Sequence, residues 1–304
     1  IMEVFCIKIL ATFKTTGRTE QRLIWLAANQ RIPQAQFYLG LIYLNGRYIS
    51  PDINKAIHYF SLAANQNIPE AQFILGNIYL SNQYATQDIN KAIHYFSLAA
   101  NQNNPQAQFN LGFIYLNEKY APRDISKAIY FFSLAANQNM PEAQFNLGCI
   151  YYIGQYIAQD TSKAIHYFSL AANQNYSQAQ FNLGVIYYDG QYIKRDINKA
   201  IHYYSLAVNQ NHPQAQFNLG FIYIDGQYIK RDISKAIHYF QLAANLNDPE
   251  AQYSLGYIYY SGECIKQNIK KGTYYIMLAS INKHKQILGM DFCYMRGSML
   301  KRTF

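Results

Sequence analysis

One period of 36 residues runs through this chain without insertion, and it constrains the fold more than any local motif does. An Ala-Gln-aromatic triplet begins at Ala35, Ala71, Ala107, Ala143, Ala179, Ala215 and Ala251. A Leu-Gly pair follows in step, its glycine at Gly40, Gly76, Gly112, Gly148, Gly184, Gly220 and Gly256, and a tyrosine lies three residues beyond each, from Tyr43 to Tyr259. The second half of each period carries Lys-Ala, with the alanine at Ala56, Ala92, Ala128, Ala164, Ala200 and Ala236, then paired aromatics such as Tyr59-Phe60 and a small pair such as Ala63-Ala64. Seven units result, with a partial one ahead of them. A period of this size describes small supersecondary units that bury their apolar faces only by stacking on one another.

Each unit reads as two helices. Ala35, Leu39, Ile42 and Tyr43 fall on one helical face. Pro33, Pro69, Pro105, Pro141, Pro213 and Pro249 sit where a first-turn proline is tolerated. Gly40 and its equivalents lie mid-helix, at about 1 kcal/mol each relative to Ala, so the spacing predicts another helix passing where a side chain would be. Gly46, Gly154, Gly190, Gly226 and Gly262 mark the end of the first helix, where a left-handed residue is wanted. Asn82 and Glu118 replace that glycine, and less regular turns are expected there. The second helix opens at Asp52, Asp88, Asp124, Asp160, Asp196 and Asp232, whose carboxylates suit the unpaired amides of a first turn. Ala56, Phe60 and Ala63 form its buried stripe, and Asn65 to Asn67 end it with a left-handed asparagine. The expected fold class is an all-α, helix-turn-helix solenoid of about seven 36-residue repeats with capping helices.

The pattern Ala-Gln-x-x-Leu-Gly-x-x-Tyr-x-x-Gly, then Asp-x-x-Lys-Ala-x-x-Tyr-Phe-x-x-Ala-Ala, resembles the Sel-one-like repeat (SLR), a relative of the tetratricopeptide repeat. The resemblance covers residues 16–282. It implies a right-handed α/α superhelix that acts as an adaptor or scaffold for protein complexes. The chain departs from the family in writing Asn67 where Gly is usual, and in lacking the paired cysteines of the secreted cysteine-rich members.

Composition narrows the function. Half the residues are hydrophobic and 14% are charged, which excludes a disordered chain, and 16 Gly with 8 Pro exclude collagen-like sequence. The four cysteines, Cys6, Cys149, Cys264 and Cys293, are too scattered for a disulfide framework and form no C-x-x-C pair. The net charge of +9 sits in the ends: +4 over residues 1–50 and +7 over 266–304, against −2 for the body between them. A groove tracking phosphates needs its positive charge along the body, so nucleic acid is not the expected partner. Val4 to Phe13 is apolar but broken by Lys8, a poor signal peptide and too short to span a membrane. The chain opens on Ile1-Met2, which reads as a fragment or a misplaced start. With no signal and no disulfides, a cytoplasmic location is expected.

Candidate chemistry is sparse. His58, His94, His166, His202 and His238 share one position of the second helix. Stacked units lie about 8–10 Å apart and zinc ligands about 2 Å from the ion, so one histidine per unit closes no metal site. Ser280-Ile-Asn-Lys283 matches the S-x-x-K string of penicillin-recognising hydrolases, without S-D-N or K-T-G. No P-loop, H-E-x-x-H, G-x-S-x-G or dinucleotide fingerprint exists. Asn175-Tyr176-Ser177 is a glycosylation sequon with meaning only in a secreted chain. Lys194-Arg195 and Lys230-Arg231 occupy one loop position in neighbouring units, flanked by Asp189, Asp196, Asp225 and Asp232, and read as a self-neutralised edge or a dock for an acidic partner. The expected reading is a non-catalytic scaffold with no cofactor, with a penicillin-recognising protein or an RNA-binding helical repeat as alternatives.

The ends depart from the period. Residues 1–32 are read as an N-terminal capping segment, 33–282 as the solenoid, and 283–304 as a basic C-terminal capping helix or tail, with an amphipathic membrane anchor as its rival. Copies within the chain also differ from one another. In the tetratricopeptide frame the first helix lines a concave groove. One varying row there is Leu41, Asn77, Phe113, Cys149, Val185, Phe221 and Tyr257, and another is Leu44, Leu80, Leu116, Tyr152, Tyr188, Ile224 and Tyr260. Such a trough suits a peptide or partner helix. In four consecutive units the residue before Leu-Gly is Asn: Asn110, Asn146, Asn182 and Asn218. A row of side-chain amides can pair with the backbone of an extended peptide, with Phe113, Val185 and Phe221 selecting side chains. The other reading is that recent copies share a harmless surface residue.

Overall fold

The structure, a computed structural model, describes residues 17–46 and 49–293, with side chains placed over 22–46 and 49–283. The described residues form fifteen helices and no strand. A single helix α1 (Gly17–Asn29) is followed by seven pairs: α2 (Pro33–Asn45) with α3 (Ile53–Ala64), α4 (Pro69–Leu80) with α5 (Ile89–Asn101), α6 (Pro105–Leu116) with α7 (Ile125–Asn137), α8 (Pro141–Ile153) with α9 (Thr161–Asn173), α10 (Ser177–Asp189) with α11 (Ile197–Val208), α12 (Pro213–Asp225) with α13 (Ile233–Asn245), and α14 (Pro249–Ser261) with α15 (Ile269–Cys293). This is an all-α solenoid. It divides into two compact units, Ile1–Leu147 and Gly148–Phe304. Helix α15 runs unbroken past residue 283, and the rest of the basic tail lies outside the described residues.

The mid-helix glycines have the packing reason the sequence predicts. A Cβ on Gly76 would lie 2.5 Å from Cδ1 and Cε1 of Phe96, and one on Gly112 would lie 2.7 Å from Cδ1 of Phe132. The aromatic of the second helix therefore lies flat against the bare backbone of the first. Phe60, Phe96, Phe132, Phe168 and Phe240 are fully buried by this contact, as is Tyr204 in the same place. Buried Ala, Leu and Ile then join the second helix of one pair to the first helix of the next, as in Ala92 and Ala99 with Ala107, Leu111 and Ile114.

The turns follow equally simple rules. Asp52 caps α3 by accepting from the Lys55 amide at 3.0 Å, and Asp88, Asp124, Asp160, Asp196 and Asp232 do the same. That amide bond holds the Asp52, Asp88, Asp124 and Asp160 carboxyls below the usual carboxylate range. Gly46, Gly190, Gly226 and Gly262 end their helices with positive φ. Where Asn82 and Glu118 replace that glycine, α4 and α6 stop a residue earlier in extended caps at Ser81 and Asn117. Asn67, Asn103, Asn139, Asn175, Asn211 and Asn247 all take the left-handed conformation that closes the second helix.

One row of buried polar residues ties neighbouring pairs together. Gln36, Gln72 and Gln108 are buried, and each donates Nε2 to an alanine carbonyl eight residues back, at 3.0–3.2 Å. Each Oε1 accepts from a glutamine thirty residues ahead: Gln66, Gln102 and Gln138, at 2.7–2.8 Å. The Gln of the Ala-Gln-aromatic triplet is thus an inter-repeat staple. A second row lies on the edge of each pair. Tyr79 stacks on Tyr95 at 5.9 Å, and Lys91, ion-paired with Asp88, lies over the Tyr79 ring at 5.0 Å. This accounts for the constant tyrosine after Leu-Gly and for the lysine of Lys-Ala.

Candidate interaction surface

Packing and capping use the constant positions and leave the varying ones at the surface. Phe113, Val185, Tyr152 and Tyr188 are half-buried, whereas Phe221 is 43% exposed and Tyr257 50% exposed. Phe113 leans on Tyr120, with ring centroids 5.9 Å apart. Tyr152 meets Tyr192 edge to face at 6.3 Å, and Tyr188 meets Tyr228 in the same way at 6.3 Å. Partial burial, with Asp189 beside Tyr152 and Asp225 beside Tyr188, raises the pKa of both first-helix phenols. The exposed large apolar residues concentrate toward the C-terminal repeats, where Tyr253 and Tyr260 join Phe221 and Tyr257.

The four asparagines occupy one register but not one environment. Asn110 donates Nδ2 to Oδ1 of Asn77 at 3.1 Å, Asn146 to the Glu142 carbonyl at 2.7 Å, and Asn218 to the Tyr204 hydroxyl at 3.0 Å. Asn182 is only 4% exposed, and its Nδ2 is buried without a partner. Three of the four amide donors therefore already hold intramolecular bonds, and the row presents no uniform set of free N–H groups.

The other candidate groups are also placed. His58, His94, His166, His202 and His238 are exposed along the second helices, each edge-on to the tyrosine that follows it. Among the described residues no three His, Cys, Asp or Glu side chains gather as metal ligands would. Ser280 and Lys283 are exposed on α15, and the Ser280 hydroxyl donates to the Ile276 carbonyl at 3.1 Å. Asn175 of the sequon is the exposed left-handed residue ending α9. Burial pushes the thiol of the half-buried Cys149 up to about 12, which disfavours the thiolate. No described helix is long and apolar enough to cross a membrane.

The basic turn edge is arranged differently from a set of Arg–Asp pairs. Arg195 donates to the Asp189 backbone carbonyl at 3.0 Å and to the Tyr228 hydroxyl, and its guanidinium lies 4.8 Å from the Tyr228 ring centre. Arg231 donates to Cys264 Sγ at 3.0 Å. The lysines, not these arginines, hold the aspartates, as in Lys199 with Asp196 and Lys235 with Asp232. Reading the sequence for charge alone missed the tyrosines as partners. The signal was the Gly-Gln-Tyr-Ile turn, which sets Tyr192 and Tyr228 one period apart.

Comparison with known proteins places this architecture. A protective antigen of uropathogenic Escherichia coli with an SLR fold superposes with a TM-score of 0.81 over 91% of this chain at 25% identity. This chain spans 60% of that protein's length. A Sel1 repeat protein from Oxalobacter formigenes superposes with a TM-score of 0.74 at 28% identity, covering 90% of this chain and 82% of that one. No curated protein matches the chain in sequence. The Sel1 repeat model matches residues 33–68, 69–104, 105–140, 141–176, 177–212, 213–248 and 249–280. Sel1-repeat proteins, members of the tetratricopeptide-like superfamily, are generally non-catalytic scaffolds for protein interactions. Seven consecutive matches in the register of the observed helix pairs show that the chain belongs to the Sel1 repeat family.

Proposed function

We propose that the chain is a non-catalytic scaffold that binds a peptide or a helix of a protein partner along the exposed face of its first helices. The observation that carries this reading is the pattern of exposure. Positions that stack stay constant from unit to unit, while varying positions on the same helices place large apolar side chains such as Phe221 and Tyr257 in water. Apolar surface left exposed on an otherwise well-packed array marks an interaction site. The asparagine row contributes acceptors: Oδ1 of Asn110, Asn146 and Asn218 holds no bond within the described residues and suits the N–H groups of a bound backbone. Phe113, Val185, Tyr152 and Tyr188 line the same helices and select side chains.

Affinity capture by the full chain, read by mass spectrometry, tests the reading. The chain with Phe221→Ser and Tyr257→Ser should lose its retained partner while keeping its helical circular dichroism. Retention of the same partner by that variant overturns the reading. Covalent labelling by a penicillin reporter, abolished in Ser280→Ala, or RNA binding with a steep salt slope mapped to the repeats, overturns it in favour of an enzyme or an RNA binder.

A further inference from the structure

We propose that the open face of the Tyr192 ring, which Tyr152 meets edge to face, receives an arginine side chain of the protein partner; this rests on the scaffold reading for the partner and names its chemistry. The chain supplies its own template one repeat later. There Tyr188 and Tyr228 meet edge to face at 6.3 Å and 88°, and the guanidinium of Arg195 lies 4.8 Å from the Tyr228 ring centre. The same guanidinium donates to the Tyr228 hydroxyl and to the Asp189 carbonyl. The turn position that supplies Arg195 reaches the following repeat once more, where Arg231 donates to Cys264, the residue in the place of Tyr228. Where this turn position carries Arg195 or Arg231, the guanidinium thus reaches a side chain of the following repeat.

One period earlier the same tyrosine pair stands without its cation. Tyr152 and Tyr192 meet at 6.3 Å and 90°. The place of Arg195 is taken by Gln159, whose Nε2 is held 2.8 Å from the Tyr152 carbonyl. Among the described residues no cation lies over Tyr192, which is 50% exposed against 39% for Tyr228. Asp189 lies beside Tyr152, is exposed, and its carboxylate forms no ion pair among the described residues. A ring face open to solvent, a phenol hydroxyl and an unpaired carboxylate are what a planar, always-charged fork recognises, and a lysine ammonium uses that geometry less fully.

The test uses the full chain and three peptides identical except for one central residue: arginine, lysine or citrulline. Binding is measured by surface plasmon resonance at physiological salt. The arginine peptide should bind about fivefold more tightly than the citrulline peptide, with lysine between them. Gln159→Arg should place the chain's own guanidinium over Tyr192, and Tyr192→Leu should remove the ring. Each should bring the arginine peptide down to the citrulline level without moving the melting temperature of the repeats. Equal binding of arginine and citrulline peptides overturns the proposal, as does an arginine preference that survives Gln159→Arg. Lysine equal to arginine also overturns it. A partner captured by the wild-type chain and equally by the Gln159→Arg variant removes the Tyr192 site and leaves the scaffold reading standing.

Discussion

The two compact units use the same helix pair, yet their buried polar groups are not equally well partnered. In Ile1–Leu147 the staples at Gln36, Gln72 and Gln108 are complete, each donating to an alanine carbonyl of the preceding helix and accepting from a glutamine at the end of its own helix pair. In Gly148–Phe304, Gln180 repeats the arrangement with Gln210, but Oε1 of Gln216 is buried with no partner. The residue thirty positions ahead of Gln216 is Leu246, in the place of Gln66, Gln102, Gln138 and Gln210. Asn182 tells the same story. Asn218 finds the Tyr204 hydroxyl fourteen residues back, whereas fourteen residues before Asn182 stands Phe168, which has no hydroxyl. Among the described residues both orphaned atoms are in the second unit: that of Gln216 traces to Leu246 in another helix, and Asn182 has not gained the hydroxyl that Tyr204 gives Asn218. In an array, a side chain's partner sits in a neighbouring helix or copy, so a substitution is felt by a residue far from it in sequence.

If apolar packing is equal in the two units and only the polar partners differ, truncating the ring that covers the bare glycine should cost the same in both. Phe96→Ala and Phe240→Ala, each ring fully buried against Gly76 or Gly220, should each lose about 3–5 kcal/mol. Urea unfolding combined with hydrogen exchange on the affected pair measures both. A difference of more than about 1.5 kcal/mol between them, beyond the ordinary spread of such measurements, breaks the comparison.

Acid sharpens it next. His212 caps α12, its Nδ1 accepting from the Ala215 amide at 3.4 Å while its ring stacks 4.7 Å from Phe181. Burial lowers its pKa from 6.5 to about 4. The unfolded chain therefore binds a proton that the folded chain refuses. Stability is full above pH 6.5 and falls as pH drops toward 4, by up to about 2–3 kcal/mol for a shift of this size in a partly exposed group. Protonation also removes the lone pair that accepts from Ala215. The first unit has Asn104 in the equivalent place, a cap that does not titrate. His212→Asn should flatten the pH dependence of melting between pH 4 and 6.5, and an unchanged slope would remove His212 as its source.

Much of this was legible in the sequence because periodicity repeats the evidence seven times. The bare glycines, the aspartate caps, the left-handed asparagines and the shortened helices at Asn82 and Glu118 each follow from a local rule tied to one or two residues. The glutamine staple was visible as a constant letter but not as a function. Its partners stand eight residues back and thirty ahead, and only the stacking geometry brings them together. The asparagine row was legible as a spacing but not in its partners. Four identical residues at one spacing suggested one role, but Asn110 and Asn218 meet side chains that other copies lack, Asn77 and Tyr204, while Asn146 takes the backbone carbonyl of Glu142. Sequence identity at a position fixes what a side chain can offer, and the varying neighbour decides what it meets.

The hydroxyl of Tyr204 isolates that point. It is buried, its pKa is raised by that burial, and it accepts from Asn218. Tyr204→Phe should take the hydroxyl from the half-buried Asn218 and cost about 0.5–1.5 kcal/mol, the net worth of that hydrogen bond. Phe168→Tyr should do the reverse for Asn182 and recover roughly 0.5–1.5 kcal/mol. Opposite signs from chemically opposite changes, read by thermal unfolding, sharpen the comparison. Equal signs would mean that volume, not the hydroxyl, governs the site.

The smallest expected effect is the most selective one. Leu246 is exposed, so replacing it removes little apolar burial, while a glutamine there stands in the register from which Gln66, Gln102, Gln138 and Gln210 reach back thirty residues. Leu246→Gln should therefore close the staple onto Oε1 of Gln216 and stabilise the pair by about 0.5–1.5 kcal/mol, the net worth of one hydrogen bond at a previously unmet buried acceptor. The gain must depend on its target. In a background with Gln216→Leu the same change should do nothing, because no acceptor remains. Amide exchange along α12 and α13 reads the local gain where global unfolding blurs it. A Leu246→Gln gain that persists with Gln216→Leu would belong to the removal of an exposed leucine, and the difference between the two units would then have another origin than the broken staple.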